Sequence, residues 1–241
     1  MAYGISFDFW NTLYASGDET QRHQQRISFF REIVSAYRPF DRDSIEEVFE
    51  WSRQFFIHNW RVHQVTPTCE ARIQQMGKHL GVDISVIDIK KTAAFFGNLI
   101  RQIPPPEIDN LKTCVHELAV QYPLAIISDT GYITGKYIRQ FLREENLLEY
   151  FQSLIFSDEH RHCKPHPSVF RLTCRNLGID CRYLIHIGDL EQTDVKGILN
   201  CGGISIKYTG VSGTDQDKTI SPHLINDYKE LPSLIENLTN T

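Results

Sequence analysis

Tyr3-Gly-Ile-Ser-Phe-Asp-Phe-Trp-Asn-Thr-Leu-Tyr14 decides the fold of this chain. Residues 3–7 form a short apolar run that ends in a lone carboxylate, Asp8, and passes at once into a tight polar turn. An acid so placed stands at the carboxyl end of a first β-strand, the edge at which open α/β sheets gather their ligands. Further along, residues 124–128, 183–187 and 203–208 read as buried parallel strands, with 153–156 as a weaker fourth. Helical stretches at 108–121, 133–145, 167–177 and 194–200 separate them. Strand alternating with helix predicts an α/β fold, a doubly wound, Rossmann-like parallel sheet with right-handed crossovers.

Between the first and second strands the rhythm breaks. Residues 15–102 offer helices at 19–37, 44–60, 68–80 and 85–102 and no convincing strand. Pro67 marks a helix start, and the run Pro104-Pro105-Pro106 closes the block as a stiff connector. The expected organisation is therefore a core of residues 1–14 and 103–241, with 15–102 an all-helical domain inserted over the carboxyl edge of the sheet.

Composition narrows the function classes. The 241 residues are 41% hydrophobic and 23% charged, ordinary for a soluble globular chain. A net charge of -5 gives no electrostatic case for nucleic acid or an anionic membrane surface. No apolar stretch approaches the roughly 20 residues that span a bilayer. The first strand begins almost at Met1, which leaves no room for a secretory signal, so a cytoplasmic protein is expected. Cys69, Cys114, Cys163, Cys174, Cys181 and Cys201 show neither C-x-x-C pairing nor zinc-like spacing and read as reduced thiols.

Chemistry concentrates in four stretches. Asp8 is a candidate nucleophile, since a carboxylate can attack phosphorus and split one hard step into two. Ser128 ends Leu124-Ala-Ile-Ile-Ser-Asp-Thr130, where its hydroxyl and the following amides could receive phosphoryl oxygens. Lys164 opens Lys164-Pro-His-Pro167, continued to Phe170, and could steady an anion as a point charge. In His186-Ile-Gly-Asp-Leu-Glu-Gln-Thr-Asp194, Gly188 permits a sharp turn and Asp189 stands at a strand end. Asp194 opens the next helix, where it could hold a metal or simply serve as an N-cap. His160, His162 and His166 beside Cys163 read as surface imidazoles in an irregular loop.

In this order the four stretches resemble the motifs of the haloacid dehalogenase superfamily, mostly magnesium-dependent phosphatases with an aspartate nucleophile. The resemblance implies that Asp8 attacks, that Ser128 and Lys164 bind the phosphoryl group, and that the first and fourth strands are neighbours. It also implies an Mg2+ held by Asp8, Asp189, Asp194 and the Trp10 carbonyl, a helical cap over the site, and a small phosphorylated substrate. Two positions depart from the pattern. Trp10 replaces the second aspartate, which protonates the leaving oxygen and then activates water; an indole does neither. Asp129 brings a carboxylate to a place usually uncharged. Three readings stay open: a magnesium-dependent phosphatase weakened by Trp10, a metal-free dehalogenase, and a core that binds a phosphorylated ligand without turning it over. Within the insert, Arg53, His58, Arg61 and His63 are spaced for a polar stripe, yet such stripes are commonly just solvated.

Overall fold

The computed structural model describes residues 2–212 and 218–240. In chain order the elements are β1 (Gly4–Phe7), helices α1 (Glu19–Ser35), α2 (Arg42–His58), α3 (Cys69–His79), α4 (Ile89–Gln102) and α5 (Leu111–Ala119), then β2 (Leu124–Ser128), α6 (Gly135–Glu144), β3 (Phe151–Phe156), α7 (Pro167–Leu177), β4 (Leu184–Gly188), α8 (Lys196–Asn200), β5 (Ile204–Tyr208), β6 (His223–Ile225) and α9 (Leu231–Thr239). The strands form one parallel sheet in the order β3-β2-β1-β4-β5-β6.

Burial on both faces explains why the strands read as continuous apolar runs. Successive side chains of β2 point to opposite sides, so Ile126 joins one core cluster and Ile127 the other. The first cluster takes in Leu111 and Val115 of α5, Phe141 of α6 and Ile235 of α9; the second takes in Phe170 of α7 and Ile198 of α8. Phe7 is in register with Ile126 on one side and Ile187 on the other. The turns that follow β1, β2 and β4 therefore open at one edge.

Helices α1 to α4 bury a cluster of their own, including Phe30, Val48, Phe49, Met76 and Phe96. Each begins at a side-chain cap: Asp18, Asp41, Thr68 and Asp88 accept from the amides of Gln21, Ser44, Ala71 and Lys91. The Asp88 cap moves the start of α4 from the expected residue 85 to Ile89, behind a single 3-10 turn at Ile84–Val86. Helix α2 does not run through residue 60; after His58 it loosens into a π-helical turn, Asn59–His63, closed by Gln64 at a positive φ of 52°. Arg22, fully buried, donates to the carbonyls of Ser16 and Ile103, tying together the two chain crossings between insert and sheet. Strand β6 and helix α9 are additions that the sequence reading did not expect. Among the described residues no helix is long and apolar enough to cross a membrane.

Candidate active site

Asp8 follows β1 directly, and its amide donates to the Ile187 carbonyl at 2.9 Å, extending the ladder by one residue. That bond fixes the Asp8 backbone beside the end of β4. Lys164 reaches the same point from the loop before α7. Its Nζ lies 2.7 Å from Asp8 Oδ1 and 2.6 Å from Asp194 Oδ1, with the side chain 2% exposed.

Asp194 owes its position to an irregular helix start. Residues Glu191–Val195 form a π-helical turn rather than a regular first turn of α8, and the Asp194 carboxylate folds back to accept from the Leu190 amide at 3.0 Å. It caps nothing in α8, so the N-cap reading fails. Gly188 is required for this packing, because a Cβ there would lie 2.3 Å from Asp194 Cγ. His186, two residues before Gly188 in β4, places Nε2 3.1 Å from Asp194 Oδ1 and Nδ1 2.8 Å from Ser6 Oγ. Burial holds this imidazole below its ordinary pKa. A neutral ring protonated on Nε2 donates to Asp194 and accepts from Ser6, which locks the carboxylate in place.

Asp189 completes the cluster: one carboxylate oxygen each from Asp8, Asp189 and Asp194 lie within 4.8 Å of one another, all buried. Burial raises Asp189 to about 8, reinforced by the negative charge of Asp8 and Asp194. Burial likewise raises Asp8 to about 6 against the pull of Lys164. Asp194 goes the other way, since Lys164 and His186 outweigh its burial and hold it well below the usual carboxylate range. Three buried carboxylates share one ammonium, and a divalent cation with oxygen ligands is the partner that would let all three ionise.

Ser128 Oγ, buried at the carboxyl end of β2, has no hydrogen-bond partner among the described residues. Native structures seldom leave such a group unmet unless a ligand or water meets it. Asp129 does not confront this hydroxyl as a free charge. Its carboxylate accepts from the Trp60 indole at 2.8 Å and from the Lys164 amide at 3.0 Å. The Trp10 indole packs edge-on against Phe9 at 4.9 Å and borders a cavity beneath the helical insert.

A haloacid dehalogenase-like hydrolase profile matches residues 7–206. The chain is a haloacid dehalogenase-like hydrolase. This hydrolase is 29% identical to human N-acylneuraminate-9-phosphatase over 91 residues, 37% of either chain. The chain thus spans well under two thirds of that relative. It is 21% identical to the Escherichia coli 5-amino-6-(5-phospho-D-ribitylamino)uracil phosphatase YigB along 96% of its own length and 95% of that enzyme's. In fold it matches the 2-haloacid dehalogenase of Pseudomonas syringae with a TM-score of 0.74 at 16% identity, over 99% and 100% of the two chains.

Not every expectation about side chains holds for the hydrolase. His160, His162 and His166 are half-buried rather than solvated; His162 stacks on His166 at 3.7 Å, and His166 bonds Ser168. Arg53, His58, Arg61 and His63 are exposed as the bland reading required. The insert's buried cations are Arg22, Arg26 and Arg72 instead, and the sequence signal for them was weak, because each sits among polar residues of an amphipathic helix.

Proposed function

We propose that this hydrolase is a magnesium-dependent phosphatase that works through an aspartyl-phosphate on Asp8, acting on a small phosphorylated metabolite, with residues 15–102 as its cap. The observation that carries the reading is the buried Asp8–Asp189–Asp194 cluster around the Lys164 ammonium. Asp8, Asp189 and Asp194, with the Trp10 carbonyl, would hold Mg2+. When bound, it would neutralise the acids and draw charge from the phosphoryl oxygens.

This chain's own groups account for the remainder. Ser128 Oγ and Lys164 Nζ receive two phosphoryl oxygens. An oxygen of Asp8 attacks phosphorus as the bond to the leaving oxygen breaks; water then attacks the aspartyl-phosphate, releasing phosphate and restoring Asp8. No side chain at position 10 delivers a proton to the leaving oxygen, so turnover is weak for poor leaving groups. A metal-free dehalogenase would have no use for three clustered acids, and only the aromatic residue at position 10 favours it. Binding without turnover draws on that same residue and on Asp129, whose carboxylate is taken up by the Trp60 indole and the Lys164 amide. Asp8→Asn keeps size and removes the attacking charge, so phosphate release from p-nitrophenyl phosphate in magnesium should disappear while the circular dichroism spectrum is unchanged. Retention of most of the wild-type rate by the purified variant would sink the covalent mechanism.

A further inference from the structure

A cavity of about 500 Å³ lies between the insert and the loop after β2. Trp10, two residues beyond Asp8, and residues 131–133, just beyond Ser128, form its inner wall. Phe49, Phe56 and Ile133 give it apolar sides. Its charges are sorted by depth. Glu19, Glu46 and Glu50 stand at the exposed mouth, each already paired with an arginine: Glu19 with Arg22 and Arg26, Glu46 with Arg42, and Glu50 with Arg53. Arg26 and Arg72 occupy the buried end, 2% and 5% exposed.

Arg72 has no carboxylate partner among the described residues. Its guanidinium bonds the Ser52 hydroxyl at 3.2 Å and the Ser52 carbonyl at 3.4 Å, and lies 3.6 Å from the centre of the Tyr132 ring. Its Nη1 faces the Gly131 backbone, 3.6 Å from where a Cβ would sit. Arg26 Nε is buried without a hydrogen-bond partner among the described residues. A guanidinium does not shed its proton, so the burial of Arg72 without a counter-ion calls for an anion from outside the chain, while Arg26, paired with Glu19, has only its Nε unmet among the described residues.

We propose that this cavity holds a second anionic group of the substrate, a carboxylate gripped by Arg72 and Arg26, which makes the substrate class a small phosphorylated carboxylic acid. The assignment of substrate class rests on the phosphatase reading above. Two donors have no acceptor among the described residues, Arg26 Nε and Arg72 Nη1, a number that matches the two oxygens of a carboxylate better than the three of a second phosphate. Trp10 and Ile133 would flank the short carbon chain joining the two anions.

Titration calorimetry in magnesium with two non-hydrolysable probes tests this. 3-Phosphonopropionate carries both anions; propylphosphonate has the same length and lacks the carboxylate. The wild type should bind the first about tenfold tighter or better. Arg72→Met should erase that preference and leave the affinity for propylphosphonate unchanged. Equal wild-type affinities overturn the proposal without any variant, so a misfolded Arg72→Met could not shelter it. A preference that survives in folded Arg72→Met overturns it too, as does tighter binding of propane-1,3-bisphosphonate than of 3-phosphonopropionate. The phosphatase reading answers to a different arm: Lys164→Met should weaken both phosphonates alike. Indifference to that change would sink the reading while the carboxylate comparison stood on its own.

Discussion

At position 10 an aromatic ring stands where the motif resemblance implies a proton donor, packed against Phe9 with the Arg22 guanidinium 5.8 Å from its centre. Without an acid for the leaving oxygen, the rate should follow the leaving group's own pKa steeply. Wild type should hydrolyse p-nitrophenyl or acyl phosphates slowly and alkyl phosphates scarcely at all. Trp10→Asp should recover part of the ~10² to 10⁴ that acid–base help supplies, since removing the indole opens room for water beside the cavity. Brisk wild-type turnover of glycerol phosphate, followed by phosphate release, would show another residue acting as the acid. Asp8, Lys164, Asp189 and Asp194 were picked out before any coordinates by their strand-end or loop positions together with the resemblance of four motifs in order, and the fold brings their side chains together. His186 was not, since in Leu184-Ile-His-Ile187 it looks like one more strand residue, and only the fold shows its ring bridging Ser6 and Asp194. Arg72 escaped notice for a similar reason: its aromatic partner, Tyr132, lies 60 positions away in sequence and meets it only when the insert docks.

Among the elements, irregular turns do more for the site than regular helices. The segment after α2 lies against two core loops: Trp60 bonds Asp129, the Cys163 amide donates to the Gln64 carbonyl at 2.9 Å, and Thr66 bonds Ser157 at 2.6 Å. Arg22 secures the opposite side by joining the crossings at Ser16 and Ile103. Arg22→Met leaves those two carbonyls without their donor, and unsatisfied groups of this kind cost about 1–3 kcal/mol. Urea denaturation should show a loss of that size, and a change under about 0.5 kcal/mol, the range of an ordinary surface substitution, would mean that the crossings are held by other means. Sequence periodicity captured the helices of the insert to within a few residues because apolar spacing and Asp or Thr caps agree there. It could not show the π-helical turns at Asn59–His63 and Glu191–Val195, which share the local propensities of ordinary helix. Strand β6 was missed because three residues with only Ile225 buried carry no alternation to detect.

For the molecule as a whole, the acid cluster links stability to pH and to cation. Asp8 and Asp189, raised to about 6 and about 8, stay protonated above the ordinary carboxylate range, and the stability this contributes is lost as pH rises through those values. A bound cation requires both groups ionised and therefore competes with protons. The rise in melting temperature caused by millimolar magnesium should be small near about pH 5.5 and grow to a plateau above about pH 8. It should vanish in Asp189→Asn; a gain constant across that range would count against the acid cluster as the binding site. That β1 neighbours β4 followed from the motif resemblance, whereas strand–helix alternation gave the parallel sheet and not the order of its strands. How the insert sits on that edge was illegible, because docking depends on contacts such as Trp60 with Asp129 that no spacing rule encodes. Those contacts give the protein an optical property. Of its three tryptophans, Trp51 stacks on Phe55 and His79 inside the insert, whereas Trp10 and Trp60 lie along the seam between insert and sheet. An indole N–H bonded to a carboxylate emits differently from one facing water, so separation of the two layers would register directly in the intrinsic fluorescence, with no dye attached.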